Sequence, residues 1–382
     1  IVTANNIQIK DVTKHGIYNG GTFIGNGVTI TNVGDLGVSN AGEMEISGLT
    51  VSGTASKAIY NAGSGNAKIT GASVDGTSVT HDYLIDNNGG KLELVDTTIE
   101  NSKAIAVYNR NSADTTVSNV IIDYPGTHGI LVEAGTKLSG EKLVVNHVNL
   151  DDNSDGFAIK NAGTVENLNQ VTFGDYDADV TGSGCELDTA TASSVGKTAL
   201  WLEAGTYTGS GLTIKNTDEN AIYNKAMADI ANLTIDGAAS GINCRNNGWV
   251  TLSGTNSVAN LTGSAVRTYG AESGTYNNGV KLASGASIDV DTVESHGINN
   301  KGSFLAAADS TLTVKNGTIE YEHTGENMGW NASINIFNIT AGGVLNLAGV
   351  TAKNLGGSDM AFVAHLNNWG ECTFNAESCT LE

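Results

Sequence analysis

Arginine is nearly missing: Arg110, Arg245 and Arg267 are the three in 382 residues, and the formal net charge is −21. A basic footprint for nucleic acid is therefore absent, and so is a polybasic stretch for anionic lipid. The four cysteines are too few for a disulfide framework; Cys372 and Cys379 are close enough in sequence to pair locally, whereas Cys185 and Cys244 fall in unrelated parts. No run of 18 apolar residues occurs, so no segment reads as a membrane span. Aromatic residues make up 6% and proline occurs once, at Pro125. Helical periodicity, capping boxes and lysine-rich faces are lacking throughout.

Small and β-branched residues fill the gap. Glycine reaches 49 and the apolar share is 40%, a mix that suits many thin, similar layers rather than one wide core. The strong acidity keeps a large repetitive surface soluble and makes divalent cations plausible guests. The first residue is Ile1 and the repeat pattern starts at once, so the sequence reads as a fragment of a longer, secreted polypeptide.

Self-similarity decides the fold class. One phrase recurs: a small residue, an aliphatic one, a variable one, then Asn. It ends at Asn19, Asn40, Asn61, Asn109, Asn161, Asn224 and Asn300, and Asn87 continues the series between Asn61 and Asn109. A second phrase, apolar-x-apolar-x-x-apolar-x-apolar, follows it in coil after coil. Examples are Met44/Ile46/Leu49/Val51, Ala67/Ile69/Ala72/Val74 and Leu92/Leu94/Thr97/Ile99, then Ala228/Ile230/Leu233/Ile235 and Leu345/Leu347/Val350/Ala352. Alternation within each half marks a short strand with one buried face, and the two-residue break, as in Ser47-Gly48 or Ser118-Asn119, marks a tight bend.

Strands this short bury nothing alone; stacked on their equivalents they complete the backbone ladder and a continuous core. The expectation is an all-β chain: one single-stranded, right-handed parallel β-helix over residues 1–382, three short strands per coil, roughly 15 coils, with a loop insertion at 174–198. Its asparagines tolerate left-handed backbone and would bond to one another in a ladder. The His-Gly pairs at His15, His128 and His296 read as further repeat features.

These phrases resemble the pectin-lyase-like right-handed parallel β-helix superfamily across nearly the whole length. The Ala-Ile-Tyr-Asn and Thr-Ile-Thr-Asn phrases (the latter at 29–32) are similar to those of adhesin-like surface proteins. That resemblance implies an extracellular or cell-surface location, in a prokaryote, and contact with glycans or other macromolecules. It names no activity, because the fold hosts lyases, hydrolases, adhesins and tailspikes alike.

Candidate chemistry is sparse. Asp151, Asp152 and Asp155 form the best acidic cluster, and Asn153-Ser154-Asp155-Gly156 resembles the Asn-Thr-Asp-Gly element of polygalacturonases. A companion acidic pair and an Arg-Ile-Lys element are lacking, so these remain weak candidates for the paired acid and base of glycosidic cleavage. Asp151, Asn153 and Asp155 also copy the opening of a calcium loop, but position twelve is Ala162. Asp175, Asp177, Asp179, Thr181, Ser183 and Glu186 occupy calcium-loop spacing in the insertion, with Val180 where glycine is usual; calcium is the one cofactor the sequence suggests. Nucleophile elbows and phosphate loops give no signal.

The variable residue of the first phrase points outward if its aliphatic neighbour points in. It is tyrosine at Tyr18, Tyr60, Tyr108 and Tyr223, an interrupted stripe suited to stacking on sugar faces, or simply tyrosine on exposed strand positions. Trp201, Trp249, Trp330 and Trp369 lie in the C-terminal half. The expected function is a non-catalytic surface or secreted adhesin-like module binding a glycan or a host or partner macromolecule. The alternatives are a polysaccharide lyase or glycoside hydrolase on this scaffold, and a purely structural stalk.

Overall fold

The computed structural model describes residues 1–149, 156–174, 197–245, 248–261, 266–268, 279–282, 287–298, 304–306, 310–323, 337–339, 342–356, 364–366 and 371–382. The regular elements among them are all strands, and every pairing given in residue register is parallel. The fold is a parallel β-solenoid. The described residues cluster into two compact units: Ile1–Trp201 with Lys215–Asp218, and Leu202–Ile214 with Glu219–Glu382.

In the first unit one inward column runs Val2, Phe23, Met44, Ala67, Leu92, Thr115, Leu138 and Val165, one residue per coil. Parallel columns two, five and seven residues further on hold Ile46/Ile69/Leu94/Val117, Val28/Leu49/Thr97/Val120/Leu143 and Ile30/Val51/Val74/Ile99/Ile122/Val145, all buried. The two apolar halves of the second phrase therefore both face the core, as their alternation requires.

The strand pattern differs from three separate strands per coil in an instructive way. Most coils show one long bent strand, such as Thr22–Val33, and one short one, such as Val38–Asn40; the coil Asn66–Thr70, Ser73–Asp75, Tyr83–Asn88 keeps all three apart. The bend needs a single left-handed residue. Asn6, Gly27, Gly48, Gly71, Asp96, Asn119, Lys142 and Gln170 occupy it in successive coils, with φ from +48° to +67°. Glycine and asparagine fill most of these places because left-handed backbone costs them least. One corner residue turns the chain without breaking the ladder on either side.

The second unit repeats the plan with longer, less even coils. Its column runs Tyr207, Ala228, Val250, Val280, Phe304, Phe337 and Ala364. Ala228, Ile230, Leu233 and Ile235 are buried, as are Leu345, Leu347, Val350 and Ala352.

The asparagine ladder is real and finite. Asn19 donates to Asn40 Oδ1 (2.7 Å), Asn40 to Asn61 (2.9 Å), Asn61 to Asn87 (3.0 Å) and Asn87 to Asn109 (3.2 Å). Each amide also donates to a backbone carbonyl in the coil above or at the adjoining turn, for example Asn61 to Lys91 O (2.9 Å). Thr115 closes the upper end, accepting from Asn87 and donating to Asn109 Oδ1. Stacked amides can be buried here because every polar atom has a partner. The expected series does not continue: Val132 stands above Asn109, and Asn161 above that serves its own turn by accepting from Gly163 N. Asn224, in the second unit, likewise accepts from Ala226 N. Asn300 lies outside the described residues.

The ladder also dictates glycines. A Cβ at Gly90 would collide with the Asn61 amide and Gly65 O, and one at Gly65 would meet Asn40 O at 2.9 Å.

Candidate functional site

The third strand of each coil alternates, so with Ile59 and Asn61 directed inward, Tyr60 between them faces out. Stacking puts that outward position in the column Tyr18, Ser39, Tyr60, Asp86, Tyr108, Leu131, Lys160. Tyr18 is 71% exposed, its ring 6.1 Å from that of His15. Tyr60 and Tyr108 are half-buried, because they flank a charged cluster built around Asp86.

Asp86 is fully buried and replaces tyrosine in the middle of the column. Arg110 grips it with two bonds, Nε to Oδ1 and Nη2 to Oδ2, each 2.9 Å. Lys57 reaches Oδ2 at 2.5 Å. A forked guanidinium and an ammonium on one carboxylate satisfy a charge that could not be buried alone. The bonds to Asp86 raise the Arg110 pKa above its ordinary value. Lys57 lies 5.1 Å and 5.3 Å from the Tyr60 and Tyr83 ring centroids, and Arg110 lies 5.9 Å and 5.5 Å from those of Tyr83 and Tyr108. The Tyr83 and Tyr108 rings meet at 4.4 Å, and His81 tilts against Tyr83 at 4.9 Å.

Hydrogen bonds fix the rims of this patch. Tyr108 donates its hydroxyl to Glu133, and Asn88 donates to Tyr60 Oη at 2.8 Å. Burial, and then the Glu133 bond, raise the Tyr108 pKa well above normal. His81 Nδ1 accepts from Asp82 N (3.0 Å), which leaves its proton on Nε2. Burial and the nearby Lys57 lower the His81 pKa below its usual value. The result is a rigid group of three phenol rings over a neutralised ionic base. Further along the first unit, Phe157 packs between His128 and Trp201, 4.9 Å from each.

Tyr223, the fourth expected residue, belongs to the second unit. Lys225 and Arg245 sit 5.6 Å and 5.9 Å from its ring. The structure thus links Tyr60 and Tyr108 through Lys57, Tyr83 and Arg110, whereas Tyr18, two coils before Tyr60, meets the His15 ring instead. Lys57, Tyr83, Asp86, Arg110 and Glu133 were missed by sequence reasoning. One signal was present: aligning the phrases on their asparagines sets Asp86 between Tyr60 and Tyr108, one coil from the single arginine of the N-terminal half.

A second feature lies on the face of the preceding strand opposite Ile99 and Ile122, where Asp123 and Asn146 are buried. Asp75, Glu100, Asp123 and Asn146 stack in one column over successive coils. Asp75 Oδ1 accepts from Thr77 N, Thr77 Oγ1 and Asn101. Burial alone would raise its pKa, but these bonds outweigh it and hold it below normal. Asp123 is paired with His147 Nδ1 at 2.6 Å, and that imidazole stacks flat on Tyr124 at 4.4 Å.

A shallow groove of about 540 Å³ follows a corner of the same unit, lined by Glu43, Asn66, Lys91, Asp114 and Lys137, one per coil, over a floor that includes Gly65 and Gly90. Those two glycines answer to the ladder, as shown above.

Among the described residues, no three His, Cys, Asp or Glu side chains are placed to hold a metal ion. The expected acidic candidates Asp151, Asp152 and Asp155 lie outside those residues, as do the calcium-loop candidates Asp175, Asp177, Asp179, Thr181, Ser183 and Glu186. Trp330 and Trp369 lie outside them too. Cys244, Cys372 and Cys379 are free thiols, so the local Cys372–Cys379 pairing does not form. Compared with family models, curated proteins and solved structures, the chain matches none.

Proposed function

We propose that this chain is a non-catalytic recognition solenoid, displayed on a cell surface or secreted, which binds a glycan of a host or partner through the Tyr60–Tyr83–Tyr108 patch. Kinship with the pectin-lyase-like β-helices and their adhesin-like members belongs to the same proposal. The observation that carries it is the preorganised patch itself. Three rings are held by cations that are in turn held by a buried carboxylate, so little order remains to be imposed when a ligand stacks on them. The test is a glycan array probed with the wild-type chain and with a Tyr60→Ala/Tyr108→Ala variant. Binding that the double substitution abolishes supports the reading. Silence across the array removes it and leaves the structural stalk.

One observation favours a polysaccharide-cleaving reading: the carboxylate column Asp75–Glu100–Asp123 with His147 on its last member. Carboxylates on neighbouring coils can supply paired acid and base. New reducing ends or unsaturated products from a polysaccharide panel, lost in Glu100→Gln, would replace the binding reading with this one.

A further inference from the structure

Granting that the tyrosine patch is a glycan-binding surface, we infer that its ligand is an uncharged glycan, and that uronate-bearing and sulfated chains are rejected. Each cation at the patch is already engaged: Arg110 holds Asp86 through two bonds, and Lys57 holds the other side of the same carboxylate. Glu133 accepts from the Tyr108 hydroxyl. Lys57 and Arg110 balance Asp86 and Glu133, so the patch presents no net charge.

An anionic sugar would gain a cation here only by taking it from Asp86, which is fully buried. That exchange would strand a desolvated carboxylate, a loss larger than one new ion pair returns. The whole chain, at −21, repels polyanions from a distance as well.

What the patch offers instead is neutral. Among the described residues the Tyr83 hydroxyl has no hydrogen-bond partner, and His81 presents an Nε2–H while its lowered pKa keeps the ring uncharged near neutrality. Ring faces and uncharged donors match the apolar faces and hydroxyls of a neutral sugar. Lys160 is the cation that stands in the outward column itself, two coils beyond Tyr108, with its ammonium 5.3 Å from the Phe157 ring. It is the one place in the column where an anionic chain could gain an ion pair without disturbing Asp86.

The experiment uses the full chain against neutral glucans, mannans and xylans beside polygalacturonate, alginate and sulfated glycans, at low and at 0.5 M salt. The inference expects neutral ligands only, an affinity that salt leaves unchanged, and about tenfold weaker binding in Tyr83→Ala. Tyr83→Phe keeps the ring and should lose less, and Lys160→Met should lose nothing. Far-UV circular dichroism checks that each variant is folded. Acidic glycans bound in a salt-sensitive way, and weakened by Lys160→Met or by Arg110→Met, overturn this inference while the binding function stands. If no glycan binds at either salt concentration, both fall.

Discussion

Asn61 sits at the centre of the amide ladder, and removing its side chain tests whether the ladder carries stability or merely decorates the core. In Asn61→Ala, Asn40 keeps its bond to Gly42 O at 2.9 Å. Asn87 Oδ1, fully buried, loses Asn61 Nδ2 as donor, and Lys91 O loses its side-chain partner. One orphaned buried acceptor costs about 1–3 kcal/mol, and the small void adds to it, so the expected loss is about 3 kcal/mol. Asn19→Ala is the internal control. It takes one bond from Asn40 Oδ1, which still accepts from Gly42 N at 3.2 Å, and water can approach the more open end; about 1 kcal/mol is expected. Asn61→Asp separates hydrogen bonding from packing, because its shape is unchanged while the donor is gone. A carboxylate facing Asn87 Oδ1 and Lys91 O would have its pKa raised above the unfolded value of about 3.9. Its protonated form can donate, so this variant is closest to wild type below that value and falls behind as pH rises through the raised folded pKa. The assay is native-state hydrogen exchange at the Asn66 and Lys91 amides, which bond to Gly42 O and Gly65 O, together with urea unfolding. Opening should become easier by about two orders of magnitude in Asn61→Ala. Equal losses in Asn61→Ala and Asn19→Ala, or an Asp variant indistinguishable from wild type at pH 7, would refute the reasoning.

Three further outcomes follow from buried polar groups. Tyr207 is fully buried with its hydroxyl unpartnered, so Tyr207→Phe should stabilise the chain by about 1 kcal/mol in urea titration. Asp86→Ala leaves Lys57 and Arg110 without their shared acceptor, and a loss of about 3 kcal/mol is expected; Asp86→Asn, which keeps the shape, should recover little of it. Burial pushes the Cys244 thiol up to about 12. At pH 8 the native protein should therefore alkylate at Cys372 and Cys379, both partly accessible, with Cys244 protected until denaturant is added, as peptide mass spectrometry would show.

The fold was legible because its signals repeat. Ile46, Ile69 and Leu94 are separately unremarkable, but each follows an asparagine of the series (Asn40, Asn61, Asn87) within an alternating phrase, and that recurrence tells which side chains face in. The length of the ladder was not legible from the phrase alone: Ala158-Ile159-Lys160-Asn161 looks like another rung, yet an amide needs an amide in the adjacent coil, and Val132 intervenes. The site was half legible. Tyr60 and Tyr108 announce themselves by period, whereas Lys57, Tyr83 and Arg110 lie off it and are gathered only once the coils are stacked. Asp86 is harder still, because a buried aspartate makes sense only beside the two cations that neutralise it, and these are 29 and 24 residues away.

Ladder and patch are two faces of one strand, and this ties stability to recognition. In Ile59-Tyr60-Asn61 the amide points in and the phenol points out; a slip of one residue would exchange them. Apolar residues alone resist such a slip weakly in so short a strand. The amide resists it strongly, since Asn61 set out of register would leave donors and acceptors unmatched in the coils above and below. The lock on Asn61 beneath Asn87 is thus also a lock on Tyr60 beneath Asp86, and Asn87 beneath Asn109 places Tyr108 over it. The two rings are held two ladder steps apart, about 10 Å. Substitutions at the inward asparagines should therefore weaken ligand binding without touching the ligand. Asn87→Ala, which adjoins both sides of the patch, should weaken it more than Asn19→Ala.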